Sequence, residues 1–145
     1  MNDLIQNPIL VPAFWAWSLA QISKVVFYAV QERRFNLRYL VTAGGMPSSH
    51  SALVAAAATA VALREGVAST AFAIALIVAT VVMYDAAGVR RAAMTQARIL
   101  NQIIDELFQG HPISETRLRE LLGHTPIEVV VGAVLGIVVT YALRG

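Results

Sequence analysis

The sequence contains no cysteine and few charged residues. Without cysteine, the chain can form neither a disulfide framework nor a thiolate metal site. Charged residues make up 14% of the 145 residues, whereas soluble domains carry about 25%. The 11 basic and 9 acidic residues leave a net charge of only +2, which is too small an excess for a broad phosphate-binding surface. These shortages argue against a disordered chain, a nucleic-acid-binding module and an ordinary soluble enzyme.

Apolar residues are abundant, at 57% of the chain. A bilayer core about 30 Å thick is crossed by a helix of about 20 apolar residues. Four stretches approach this length: 8–30, 49–63, 69–88 and 126–143. The second is short and rich in alanine. We therefore expect a single membrane domain over residues 1–145, folded as an all-α polytopic bundle of about four membrane-embedded helices.

One or two amphipathic interfacial helices are expected between the third and fourth apolar stretches. Residues 91–108 place apolar side chains at three- and four-residue steps, and residues 114–122 form a shorter pattern of the same kind. These helices either pack on the bundle or lie at the membrane interface. Asn101 and Asp105 share one face of the longer helix and either approach the polar groups of the spans or face water, of which we expect the second. The apolar positions are Met94, Ala97, Leu100, Ile103, Ile104 and Leu107.

The arginines orient the expected spans. Segments 31–48 and 89–125 together hold eight arginines, whereas the opposite side holds only Arg64 and Arg144. Basic residues concentrate on the cytoplasmic side of membrane proteins. Both chain termini should therefore face outward, and the two longer connecting segments should face the cytoplasm, as in a bacterial inner membrane.

Unusual polar residues fall on that same side of the expected bundle. They are Lys24 in the inner half of the first span, the turn 44–50, Asp85 and Arg90 near the end of the third span, and the start of the fourth span at 123–128. Ionisable groups within a membrane are costly and mark functional sites by default. Four spans that bring such groups to one membrane face predict a polar pocket.

The glycine-rich turn before the second span is suited to anion binding. Ser48 or Ser49 can cap the following helix, and the free N–H groups of a helix N-terminus attract anions. His50, in the first turn, can donate a proton to a bound oxyanion. The alternative is an ordinary capped helix start with a polar histidine.

The start of the fourth span also has two interpretations. His124 and Glu128 lie four residues apart and share a face if both are helical. However, Thr125 to Glu128 is also a capping box with proline at the first helical position. Farther along, Gly132 and Gly136 form a small-residue packing motif, which predicts contact with a neighbouring span or with a second copy of the chain.

Three blocks occur in order along the chain: Pro47-Ser48-Ser49-His50, Tyr84-Asp85-Ala86-Ala87-Gly88-Val89-Arg90 and Gly123-His124-Thr125-Pro126-Ile127-Glu128. Together they resemble the divergent bacterial and plant branch of the type 2 phosphatidic acid phosphatase and vanadium haloperoxidase superfamily. The resemblance extends from about residue 24 to residue 136. It implies a helical membrane phosphatase that works without a metal and through a phosphohistidine.

The resemblance also implies roles for individual residues. His124 matches the nucleophile, and Glu128 stands four residues later, where the superfamily usually has an orienting aspartate. His50 matches the histidine that protonates the leaving oxygen. Ser48 matches a phosphate-holding serine, and Ser49 replaces the usual glycine beside it.

The basic residues of the resemblance are less regular. Lys24 matches the phosphate-binding lysine of the first motif. No Arg-Pro follows it at the usual interval, so Arg33 or Arg38 is the candidate replacement. The third-motif arginine usually lies a few residues before the nucleophile, whereas Arg90 lies 34 positions before His124.

Asp85 has no counterpart in the main superfamily pattern, and two catalytic roles are open for it. It can orient a histidine, or it can join Glu128 and His124 in a metal site. Carboxylate oxygens and imidazole suit Mg, Mn or Zn. No cofactor is otherwise expected.

The leading functional hypothesis is hydrolysis of a lipid phosphate or prenyl diphosphate at the cytoplasmic face. The expected partners are that substrate and membrane lipids, with no nucleic acid. Two alternatives remain. One is a transporter or binding protein that holds a lipid phosphate without chemistry. The other is a structural membrane subunit, in which Gly132 and Gly136 support a homo-oligomer.

Overall fold

The computed structural model describes residues 6–33, 45–107 and 125–144, and all of the regular secondary structure in these ranges is helical. The described helices confirm the all-α class and the positions of the four apolar segments and of the longer amphipathic helix. The expected helix at 114–122 lies outside the described residues. The helices are α1 (Leu10–Glu32), α2 (Ser49–Glu65), α3 (Thr70–Ala87), α4 (Val89–Leu107) and α5 (Pro126–Ala142).

Helix α2 lies at the centre of the described bundle, where it contacts α1, α3 and α5. Its inward positions are mostly alanine, and the core around it is built from alanines of α1 and α2 with one valine of α5. Small side chains allow helix backbones to approach closely, as they do in membrane bundles. The alanine-rich composition makes this segment a weak candidate for a membrane span. The same small side chains allow it to pack at the centre of the bundle.

Helices α2 and α5 pack in parallel along a contact that we call the α2–α5 seam. Thr140 Oγ1 donates hydrogen bonds to the carbonyl oxygens of Ala56, at 3.2 Å, and Gly136, at 2.9 Å. The two glycines of α5 are buried against the backbone of α2. The pairs along the seam are Gly132 with Ser48, Gly136 with Ala52, and Thr140 with Ala56.

This contact corresponds to the first of the two roles predicted for the glycines, which is packing against a neighbouring span. Each lies against α2 of the same chain, so a second copy could reach Gly132 or Gly136 only by displacing that helix. A homo-oligomer through these glycines stays an untested prediction.

Large apolar side chains cover the outside of the bundle, whereas small ones fill the inside. Phe14 of α1 is 60% exposed and Ile77 of α3 is 64% exposed. Exposed apolar patches of more than a few hundred Å² are rare on soluble monomers. An apolar exterior around an alanine interior is the arrangement expected of helices surrounded by lipid.

Two of the described helices are long and apolar enough to cross a membrane, in the ranges Leu10–Val30 and Thr70–Ala87. Helix α5 is strongly apolar but has only 17 residues. Helix α2 also has 17 residues, and its many small side chains make it less apolar. The expectation of four membrane-embedded helices is therefore not confirmed, and the structure supports two candidate spans.

Helix α4 contacts only α3 among the described helices. Its apolar side chains Leu100, Ile103 and Leu107 are exposed, an arrangement that fits a position at the interface. The expectation that Asn101 faces water is wrong, because its side chain is only 6% exposed. Asn101 lies one turn beyond the half-buried Ala97, so the two residues share a face of α4 that is less exposed than the apolar positions. The side chain of Asp105 is not among those described.

Candidate functional site

The N-terminus of α2 is held by a compact serine cluster. Ser48 is the N-cap residue, and its Oγ accepts hydrogen bonds from the backbone N–H of Ser51, at 3.3 Å, and from Ser51 Oγ, at 3.0 Å. Ser48, Ser49 and Ser51 are all buried. Of the two serines that could cap the helix, the structure therefore selects Ser48.

Lys24 reaches this serine cluster from α1. It follows Ala13, Ala16 and Ala20 along the inward face of that helix. Its Nζ donates a hydrogen bond to Ser49 Oγ at 3.2 Å, and only 1% of the residue is exposed. Burial of an ammonium group is costly unless polar or anionic groups compensate for the lost water. The charge of Lys24 adds to the partial positive charge of the α2 N-terminus, so this position favours a bound anion.

The first turn of α5 lies beside the first turn of α2. The backbone N–H of Ser48 donates a hydrogen bond to the carbonyl oxygen of Glu128 at 3.0 Å. Because α2 and α5 are parallel, their N-termini meet at the same end of the bundle. Each helix N-terminus carries a partial positive charge, so Lys24 and the two helix starts together make this end attractive to an anion.

Glu128 also closes a capping box at the start of α5. Its Oε2 accepts a hydrogen bond from the backbone N–H of Thr125 at 3.2 Å, and the Thr125 hydroxyl accepts one from the backbone N–H of Glu128 at 3.3 Å. This is the structural alternative considered for the carboxylate. The catalytic role of Glu128 stays a prediction.

Two further predicted residues lie near this end. His50 is exposed in the first turn of α2, directly after Ser49. Asp85 is exposed in the last turn of α3. In the described part of the chain, no group of three or more His, Asp or Glu side chains is placed to hold a metal ion. The site proposed for Asp85, Glu128 and His124 is not tested, because His124 lies outside this part.

The structure describes the remaining predicted basic residues only in part. Arg90 lies in the first turn of α4, and its side chain is not among those described. Arg33 directly follows α1, adopts a positive φ of 53° and is exposed. Arg38 lies outside the described residues. The structure therefore brings together Lys24, Ser48, Ser49 and the Glu128 backbone.

Comparisons with known proteins identify the family. A model of the divergent PAP2 family matches residues 5–139. The chain belongs to the divergent PAP2 family. It is 37% identical to the uncharacterized membrane protein YuiD of Bacillus subtilis (strain 168), over 97% of this chain and 96% of that protein. No solved structure matches. The family resemblance carried by the three sequence blocks is confirmed.

Sequence reasoning missed two residues of the site in this divergent PAP2 protein. Ser51 completes the serine cluster, and its signal was the three-residue spacing from a capping serine. Tyr28 lies one turn beyond Lys24 on α1, and its ring packs against Gly45 in the turn that leads to α2. Gly45 has a φ of +83°, a backbone conformation that favours glycine.

This contact predicts that Gly45→Ala destabilises the turn more than a positive φ alone would. A Cβ on Gly45 would lie 2.7 Å from Tyr28 Oη and 2.9 Å from a ring carbon of the same side chain. The positive φ itself costs a residue with a side chain about 1–2 kcal/mol. Gly45→Ala should therefore lower the thermal unfolding midpoint in detergent, and it should do so by less in a Tyr28→Ala background, where the ring contact is absent. Equal shifts in the two backgrounds would show that the Tyr28 contact has no energetic weight.

Proposed function

We propose that the chain is an integral membrane protein whose candidate site faces the cytoplasm. The large apolar side chains on the outside and the alanines on the inside support the membrane location. The eight arginines of segments 31–48 and 89–125 support the orientation, because these segments follow α1 and α3 at the end where Lys24 lies. A bacterial inner membrane fits both points, and the Bacillus subtilis relative is itself named a membrane protein.

Within that membrane, the proposed activity is hydrolysis of a lipid phosphate or prenyl diphosphate. The observation that carries the proposal is the buried Lys24 ammonium beside the capped start of α2, which is hydrogen-bonded to the start of α5. Three separate helices converge there to form a small cationic site at one end of the bundle. A phosphorylated headgroup has the charge and location to bind there, with its tail left in the bilayer.

The proposed chemistry assigns one role to each residue. An imidazole nitrogen of His124 attacks phosphorus, and the bond from phosphorus to the lipid oxygen breaks. His50 gives a proton to that oxygen, which leaves as the lipid alcohol or, from a diphosphate, as the lipid monophosphate. Water then attacks the phosphohistidine while His50 accepts its proton, which frees inorganic phosphate. Lys24, Ser48, Ser49 and Arg90 stabilise the charge on the phosphoryl oxygens, and Glu128 or Asp85 orients a histidine.

A second candidate function is binding of a lipid phosphate without turnover. The capping box favours it, because the Glu128 carboxylate that would orient His124 already accepts the backbone N–H of Thr125. This candidate uses the same cationic site and the same ligands. It predicts saturable binding with no release of inorganic phosphate.

The test is a phosphate-release assay with purified full-length protein in mixed micelles. The panel contains phosphatidic acid, phosphatidylglycerol phosphate and a polyprenyl diphosphate, and His124→Ala is assayed in parallel. Release by the wild type that is lost in His124→Ala is the expected result. Release that survives this substitution rejects the assigned nucleophile, and saturable binding without release favours the second function.

A further inference from the structure

A cavity lies at the end of the bundle opposite the candidate site, where α1 begins and α2 and α5 end. Its volume is about 360 Å³, within the range of about 300–1,000 Å³ typical of small-molecule pockets. The residues that line it come from the segment before α1, from α1 itself and from the last turns of α2 and α5. None of them belongs to the candidate phosphatase site.

The cavity gathers the basic residues of its end of the molecule. Arg64, in the last turn of α2, and Arg144, just beyond α5, both line it. These are the two arginines on the side of the chain that is poor in basic residues. Glu65 follows Arg64 in the sequence but does not line the cavity. Two arginines from separate parts of the chain therefore line one cavity, and the guanidinium group of each is suited to phosphate oxygens.

Part of the lining of the same cavity is apolar. Val11 and Pro12 of α1, Leu63 of α2 and Leu143 after α5 lie beside the arginines. A ligand that contacts both the arginines and the apolar lining has an anionic headgroup and an apolar tail. Free inorganic phosphate would use only the arginines.

The position along the bundle agrees with such an amphiphile. Trp15 and Trp17 lie near the start of α1, and both are exposed. Tryptophan is enriched at the headgroup level of membranes. The cavity therefore lies at the headgroup level of the leaflet opposite the candidate phosphatase site. Basic pockets between helices on the cytoplasmic side of other membrane proteins bind anionic headgroups, and the same charge attraction operates in the opposite leaflet.

We infer that this cavity binds the phosphate of an anionic phospholipid through Arg64 and Arg144. The inference depends on the membrane location stated under the proposed function but not on phosphatase activity. The alternative is a structural role, in which each arginine only complements the negative end of a helix dipole. That role would stabilise the protein without any lipid.

Native mass spectrometry of the full-length protein, titrated with phosphatidylglycerol or phosphatidylcholine in detergent, tests the inference. The wild type should retain one phosphatidylglycerol in preference to phosphatidylcholine. The double variant Arg64→Gln/Arg144→Gln should bind it about tenfold more weakly, because two charge pairs made by solvent-exposed arginines are lost. Arg98→Gln, which removes an exposed arginine of α4, is the matched control and should bind as the wild type does.

Three results would overturn the inference. One is equal retention by the double variant and the wild type, and another is equal loss in Arg98→Gln. The third is displacement of the lipid by inorganic phosphate at millimolar concentration, since this would identify a site for the free ion.

Lys24→Met separates this inference from the proposed function. If Lys24→Met loses the bound lipid and the arginine double variant keeps it, the lipid belongs to the candidate phosphatase site and the inference fails. Retention by Lys24→Met together with loss in the double variant supports the inference, whatever the phosphate-release assay shows.

Discussion

Replacement of Lys24 by methionine is expected to lower phosphate release from the preferred lipid phosphate by about 100- to 1,000-fold, the usual effect of removing one preorganised stabilising donor. The Lys24 ammonium lies in a buried position beside Ser49. There, little water is available to take over the stabilisation of phosphoryl charge. The initial rate of phosphate release by purified protein, at saturating and subsaturating lipid, is the measurement.

The same substitution is not expected to unfold the protein. Methionine is similar in length to lysine and removes the cost of burying a charge, so the thermal unfolding midpoint should stay the same or rise. Ser23→Ala changes an exposed neighbour on α1 and should leave both activity and stability unchanged. If Lys24→Met released phosphate at the wild-type rate, the lysine would be only a structural part of the interior.

Lys24 also shows how much of the candidate site can be predicted from the sequence. As the only basic residue inside the first apolar stretch, it could be selected as functional from the cost of burial alone. The alanines at positions 13, 16 and 20 place it on the inward face of the helix, but this pattern does not identify the element opposite. The contact with Ser49 depends on how α1 packs on α2, which is a long-range property.

The turn before α2 was predicted less completely for a different reason. Ser48 and Ser49 are adjacent and both can cap a helix, so local sequence could not choose between them. The structure chooses Ser48, because its N–H bonds to the carbonyl oxygen of Glu128, 80 positions later in the sequence. The packing of Tyr28 on Gly45 is equally non-local. Periodicity alone found the amphipathic helix α4, because that signal is contained within the segment.

The α2–α5 seam leads to the last prediction, that alanine at Gly136 or Gly132 destabilises the bundle. A Cβ on Gly136 would lie 2.9 Å from the backbone nitrogen of Ala56 and closer still to the carbonyl oxygen of Ala52. Backbone atoms cannot move aside as a flexible side chain can, so the helices must separate. Overpacking of this kind costs about 1–3 kcal/mol, which exceeds the gain of up to about 1 kcal/mol from the better helix propensity of alanine.

The two glycines should differ in their effect on activity. Gly132 packs against the backbone of Ser48, so Gly132→Ala should displace the start of α2 and reduce phosphate release as well as stability. Gly136 lies one turn farther from the site, so Gly136→Ala should act mainly on the thermal unfolding midpoint. Val134→Ile, which adds one methylene group on the exposed face of α5, is the matched control and should change neither quantity. If both glycine variants unfolded at the wild-type temperature, the close approach of α2 and α5 would be contradicted. The arrangement that places Ser48 beside Glu128 would then be contradicted as well.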